Sequence, residues 1–417
     1  MNRMLLCVAA LALAWCSVGV AQIIVPGADG SDGAFSPTTN TVVPLQDAPS
    51  GPWNGPNTMP GKGVYDPNQW AVVYRFTSVN IPANVTVTFT NHPSRAPVVW
   101  LVSGNVTING TINLNGQQQT NVLVPAEPGP GGFRGGRRAV AAGQPGSAGF
   151  GPGAGDYPEG TGSYGTLGNV NQSMLYGSVT IFPLIGGSGG GGIDGLEPSY
   201  TSGAGGGALL IACQQTLTFN GLITARGGDA AAGAGSGGGI RLIANSVVES
   251  SPGAGRLRAE PGNASLCCNR AAGRGRIRIE ISNAGTLMLA DPGIPAAIPS
   301  VFPPATPAKI FPDGTNVAGS IRIVSVGKAN VPTDPRATLT FPQADVQLTA
   351  PTTTMIFIET KKINTTSFVR LRLLPFSVGG ADAVVNATFV SGDFDLATWR
   401  ADVNLPVNYS VIQAWAQ

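Results

Sequence analysis

Apolar and polar residues alternate with period two at several places along the chain. No stretch between these places carries the 3.6-residue apolar spacing of a helix. The segments Val85–Phe89, Val98–Val102, Ala208–Ala212, Ile240–Ala244 and Ile277–Ile281 read as strands that bury their apolar positions. Two stretches, Val106 to Gly116 and Leu217 to Gly227, share the same spacing of apolar residues, asparagines and glycines over eleven positions. A looser copy runs from Gly255 to Pro261. The apolar positions Leu210, Leu242 and Ile279 stand 32 and 37 residues apart, a period typical of repeat architectures. Strands that recur at such a period, joined by Gly and Asn corners, predict a right-handed parallel β-helix (a β-solenoid) over residues 22–290. An antiparallel sandwich of the same strands is the alternative. One coil cannot bury its inward side chains alone, whereas stacked coils can. Gly110, Gly221 and Gly255 are expected to supply corners with positive φ.

Composition divides the 417-residue chain further. Glycine supplies 27 of the 79 positions from 129 to 207 but only 6 of the 117 from 301 to 417. Residues 126–206 read as a glycine-rich insertion, a long surface excursion or a lid, with part of it, such as Val179 to Ile185, expected to pair with the coils. Prolines crowd 291–317, so that stretch reads as an extended linker. Residues 318–417 carry six alternating segments: Ser320–Val326, Ala337–Phe341, Met355–Thr360, Phe368–Leu374, Val384–Val390 and Tyr409–Trp415. Six strands in about 100 residues predict an immunoglobulin-like β-sandwich, without the Cys-Trp-Cys pattern of antibody domains. The fold class is therefore all-β throughout.

The first 21 residues combine Arg3, an apolar run from Leu5 to Trp15 and small residues before Gln22, which predicts a secretory signal peptide. Leu13-Ala14-Trp15-Cys16 approaches a lipobox but carries Trp15 where a small residue is expected. No later segment is long and apolar enough to predict a transmembrane anchor. The expected location is outside the cell or on its surface. Three cysteines follow the leader. Cys213 with Cys267 (or Cys268) makes a candidate disulfide, and buried free thiols are the other reading.

The run Asp29 to Thr38, then Phe76 to Pro82, Val85 to Phe89, Val102 to Ile108 and Gly205 to Ala212 together resemble a group of exported, glycine-rich bacterial proteins with no assigned activity. The likeness covers about residues 27–290. It implies export and a β-solenoid, and it brings no catalytic residue.

The chemistry of the sequence is sparse. Its one histidine, His92, excludes most triad and metal chemistries and reads as a corner residue, with Ser94 too unconstrained to be its partner. Asp229, Glu249, Glu260 and Glu280 form no recurring acidic ladder of the kind a glycosidase needs. Gly61-Lys62-Gly63 lacks the Ser or Thr of a phosphate loop. The glycine-aspartate run Gly189 to Glu197 occurs once, where calcium-bound rolls need stacked copies. Asp29 and Asp32 read as turn residues. No catalytic residue, metal or cofactor is expected. Arginines concentrate between 226 and 278. Arg241 and Arg278 hold the same place relative to Leu242 and Ile279, and with Arg256, Arg258 and Arg276 they predict an outward basic face. Such a face suits anionic groups on a cell-surface or extracellular polysaccharide. Aromatics do not interleave with it, and the net charge is only +2, so nucleic acid is not an expected partner. These readings order three functions: an exported, non-enzymatic structural or matrix protein, then a binding module for anionic glycans, then a carbohydrate-active enzyme.

Overall fold

A computed structural model describes residues 23–120, 124–139, 146–168, 174–193, 201–250, 256–265, 271–283, 300–312, 319–333, 335, 344–348, 353–375, 383–405 and 410–416. Residues 1–21, expected to form a leader, Cys267 and Cys268, Gly255 and the segment Ala337–Phe341 lie outside the described residues. Among the described residues the chain is essentially all-β, arranged in four sheets. Leu45–Asp47, a single 3-10 turn, is its only helical element among the described residues, and no described helix is long and apolar enough to cross a membrane.

The largest sheet has nine strands. Its main path runs Gly33–Phe35, Ala71–Ile81, Val98–Val102, Ala208–Phe219, Gly239–Val248, Arg276–Asn283 and Ser300–Phe302, parallel at each step. Facing it, a five-stranded sheet stacks Thr41–Pro44, Thr86–Thr90, Thr111–Asn113, Leu222–Thr224 and Arg256–Arg258, also all parallel. The sequence repeat becomes the register of these sheets. Val106 pairs with Leu217 and Ile108 with Phe219 in one, and Ile112 pairs with Ile223 and Ile223 with Leu257 in the other. Leu242 faces Ile279 as the spacing implies, but Leu210 faces Arg241, one position away from Leu242.

Strict alternation explains the core. Tyr74, Trp100, Ile211, Leu242 and Ile279 point from the large sheet toward Val87, Ile112, Ile223 and Leu257 of the small one. Each fully buried aliphatic there contributes roughly 1.5–3 kcal/mol. The opposite face of the large sheet is buried as well: Val73, Val99, Leu101, Leu210 and Ile243 meet Ile181 and Leu184 from the glycine-rich segment and Ala308 and Ile310 from the proline-rich one. A parallel sheet covered on both faces needs apolar residues at both parities, which is why Val98–Val102 is entirely buried.

The described runs 186–193 and 202–207 of the glycine-rich segment are interior, neither an excursion nor a lid, while Leu167, Leu175 and Val179 are exposed. Both runs are buried throughout. Their backbones hydrogen-bond in steps of three. Gly203 N and Gly206 N donate to Gly233 O and Ser236 O, Ala204 N and Gly207 N to Gln117 O and Leu114 O, and Gly205 N to Phe133 O. Successive N–H groups thus address three neighbours in turn, the three-residue period of a polyproline II helix. In solvent such a helix is hydrated; here other glycine segments take the place of water. The segment 201–207 runs straight into Ala208–Phe219, and 227–238 into Gly239–Val248. Gly110 and Gly221 have ordinary φ, contrary to expectation. They are required because a Cβ at Gly110 would lie 2.3 Å from Val85 O and one at Gly221 2.0 Å from Gly110 O.

The C-terminal residues form two antiparallel sheets, of five and three strands, around Ile356, Ile358, Leu371, Leu373 and Trp399. Ser320–Val326, Thr353–Lys361, Val369–Pro375 and Ser410–Ala416 match the alternating segments, while Ala397–Asn404 was not anticipated. Arg372 anchors this part to the glycine segments. Its guanidinium donates to Ala148 O at 2.7 Å and to Gly149 O, and lies 4.8 Å from the Phe150 ring.

The close backbone contacts give a direct test. A Cβ at Gly205 would sit 1.8 Å from Gly187 O, and one at Gly238 1.8 Å from Gly207 O. Gly205→Ala and Gly238→Ala should each destabilise the chain by about 3 kcal/mol or more in urea unfolding. Gly51→Ala, with only Val64 Cγ1 at 3.7 Å, should stay within about 1 kcal/mol of the parent.

Candidate functional site

The five arginines expected on one face divide into two groups. Arg241, Arg276 and Arg278 project from the large sheet, and segments distant in sequence cover them. Arg241 and Arg278 do share one register position, as the sequence indicates. Arg241 is nonetheless buried, with a side chain only 2% exposed. Its Nε and Nη2 each lie 2.8 Å from Glu280 Oε1, and its guanidinium stacks 4.0 Å from the Phe182 ring. Burial lowers the Arg241 pKa, and the Glu280 carboxylate opposes that shift. Arg278 Nε also reaches Glu280 Oε1 at 2.8 Å, under the Phe302 ring at 3.9 Å. Arg276 donates to Tyr176 O at 3.1 Å and lies 5.4 Å from the Tyr164 ring. This cluster is an internal Arg–Glu–Arg arrangement under aromatic lids, where an exposed basic stripe was expected. The physical reason is that Glu280, on the same strand as Arg278, supplies the carboxylate that permits burial.

Arg256 and Arg258 lie elsewhere, on the outer face of the small sheet, with Leu257 between them turned into the core. They border a groove of about 400 Å³ at the end of that sheet. Asn84, Asn109, Thr111 and Asn220 also line it, and none of its described lining residues is acidic. Parallel register stacks Thr111, Leu222 and Arg256 on adjacent strands. Asn220 is held rigidly: its Nδ2 donates to Asn109 Oδ1 at 2.9 Å and to Ser250 Oγ at 3.1 Å, and its Oδ1 accepts from Ser250 N at 2.8 Å. Arg256 is exposed and forms no ion pair among the described residues. Arg258 Nε lies 3.7 Å from Glu260 Oε1, and Arg226 pairs with the other Glu260 oxygen at 3.4 Å. Sequence reasoning named both arginines but missed the asparagines. Their signal was present as Asn109-Gly110 and Asn220-Gly221, which were read as corners only.

The remaining candidates are structural. His92 is buried and stacks on Tyr65 at 3.9 Å between ring centroids. Contrary to expectation Ser94 is its partner, with Nδ1 to Oγ at 2.8 Å, inside one turn that also brings Ser94 N to Nδ1 at 3.2 Å. Asp32 is a hub whose carboxylate accepts from Asn57 Nδ2, Gly61 N, Gly63 N and Arg75 N. Its lone pairs are spent on the turn. Cys213 is a free, buried thiol on Ala208–Phe219, and burial pushes its pKa up to about 12.

The buried triad predicts a specific stability pattern. Glu280→Ala leaves Arg241 charged and unpaired in the interior and should cost about 3–5 kcal/mol in denaturant unfolding. The double variant Arg241→Met with Glu280→Leu removes two of the three charges, leaving only the less deeply buried Arg278, and should recover part of that loss. No protein family, curated protein or solved structure was found to match the chain.

Proposed function

We propose that the chain is an exported, non-enzymatic structural protein of the cell surface or matrix. Its body would be a right-handed parallel β-helix flanked by a glycine-packed layer, and its C-terminal part an immunoglobulin-like sandwich serving as the attachment module. The observation that carries this reading is the registered parallel stacking of the sequence repeat on two facing sheets. Stacked parallel strands with an apolar core on both faces of the large sheet make a stiff body with few exposed backbone groups.

Limited trypsin digestion of the chain without its leader tests the rod. Of the arginines, Arg75, Arg137, Arg241 and Arg372 are buried, so these bonds should resist trypsin while cuts fall at the exposed Arg256, Lys361 and Arg400. Rapid cleavage at the buried Arg75, Arg137 or Arg241 would overturn the reading. Export is tested separately by expressing the chain with its leader in a bacterial host. A surface or medium fraction beginning at Gln22 supports export, and retention in the cytoplasm contradicts it.

A further inference from the structure

We infer that the groove at the end of the small parallel sheet binds an acidic saccharide, with its carboxylate or sulfate at Arg256 and its ring hydroxyls along the asparagines. This goes beyond a structural role and does not depend on it. Arg241, Arg276 and Arg278 of the large sheet cannot serve, because Glu280, Phe182 and Phe302 occupy the first and last and Tyr176 O and the Tyr164 ring hold Arg276. Arg256 differs on each count: it is exposed, it forms no ion pair among the described residues, and it lines a concavity whose described lining residues include no acid.

Three features favour a saccharide over a bare anion. The concavity, about 400 Å³, lies in the range of small-molecule sites, about 300–1,000 Å³. Its polar lining is mostly amide and hydroxyl: Asn84, Asn109, Thr111 and Asn220 offer both donors and acceptors, which suits vicinal hydroxyls. Those groups sit on a fixed frame. Asn220 is locked by Asn109 and Ser250, and Asn109 keeps its Nδ2 as a donor after accepting from Asn220. Asn84 is set in the left-handed region, at φ 65. The guanidinium of Arg256 can engage a carboxylate or sulfate through two parallel N–H donors. Arg258 follows two positions later on the same face, about 6.6–6.8 Å along the strand, and adds positive field while tied to Glu260. Ordering of Asn220 on binding is small, because Asn109 and Ser250 already hold its side chain, while the exposed Arg256 is the groove residue that must be ordered.

The test is a titration of the chain without its leader, at about 50 mM salt, with four probes: size-defined oligogalacturonate, chondroitin sulfate oligosaccharide, neutral dextran oligosaccharide and inorganic sulfate. The expected result is saturable binding of one or both acidic oligosaccharides, weaker at high salt, with dextran and inorganic sulfate at least tenfold weaker. A preference between the first two assigns the charged group as carboxylate or sulfate. Arg256→Gln should weaken that binding about tenfold, and Asn109→Ala about threefold. Arg400→Gln, on the C-terminal sheet, should leave it unchanged. Arg256 is exposed, so its substitution leaves the fold intact, which a melting curve checks; Arg258→Gln is a secondary variant because it also frees Glu260. Binding of neither acidic probe, equal binding of dextran, or full retention by Arg256→Gln overturns the proposal. Trypsin resistance of the same samples is read separately, so loss of the site and loss of the rod give different results.

Discussion

The missing Cβ of glycine is the constraint on which the rest of the structure depends. Backbones in the glycine segments approach so closely that a methyl group at Gly205, Gly227 or Gly235 would lie within 1.9 Å of a carbonyl oxygen. At that separation, peptide groups of one segment become the solvent of the next. Each glycine costs roughly 0.5–1 kcal/mol in chain entropy relative to alanine. Each buried peptide hydrogen bond returns about 0.5–1.5 kcal/mol, and leaving the group unpaired would cost about 1–3 kcal/mol. The segments are stable only as a set, since each supplies acceptors that another requires. That mutual dependence also fixes the long strands, because 201–207 and 227–238 lead directly into them.

Arginine serves the same frame at its margins. A segment that presents carbonyls in three directions leaves some of them facing outward where the glycine layer ends. Guanidinium groups, with five donors in a planar fork, meet that need. Arg372 binds Ala148 O and Gly149 O, Arg137 binds Pro375 O at 3.1 Å, and Arg276 binds Tyr176 O. The first two tie the C-terminal sheets to the glycine segments across more than 200 residues of sequence. Arg241 and Arg278 are buried by a different device, a shared carboxylate and aromatic covers. A chain with only 11% charged residues thus spends several of its cations on internal bonding, which leaves Arg256 conspicuous as one that is not so used.

The parts of the fold that side chains encode were legible in the sequence. The repeat at 106–116 and 217–227 foretold the register, because apolar alternation and the Asn-Gly corners recur at fixed spacing. Ser320–Val326 was read with its own boundaries for the same reason. The glycine layer was not legible: its order resides in backbone hydrogen bonds, and a run without side chains has no polar-apolar pattern. Register also misled about exposure. Arg241 and Arg278 do share a position, yet Phe182 and Phe302 cover them; the return of Val179 to Ile185 to the coils is an expectation of the sequence, but that its Phe182 lies on Arg241 is not. Of the candidate site, the two arginines were visible as charge, while the asparagines were hidden in their role as corners.

Hydrogen–deuterium exchange resolved to short peptides is the most direct test of the glycine-packed interior. If the interior is as described, amides of 186–193, 201–207 and 227–238 exchange as slowly as those of Ala208–Phe219, with protection approaching the global unfolding free energy. Exchange of these glycine amides within seconds, while the strand amides stay protected, would contradict the account and return the glycine-rich segments to the status of surface loops.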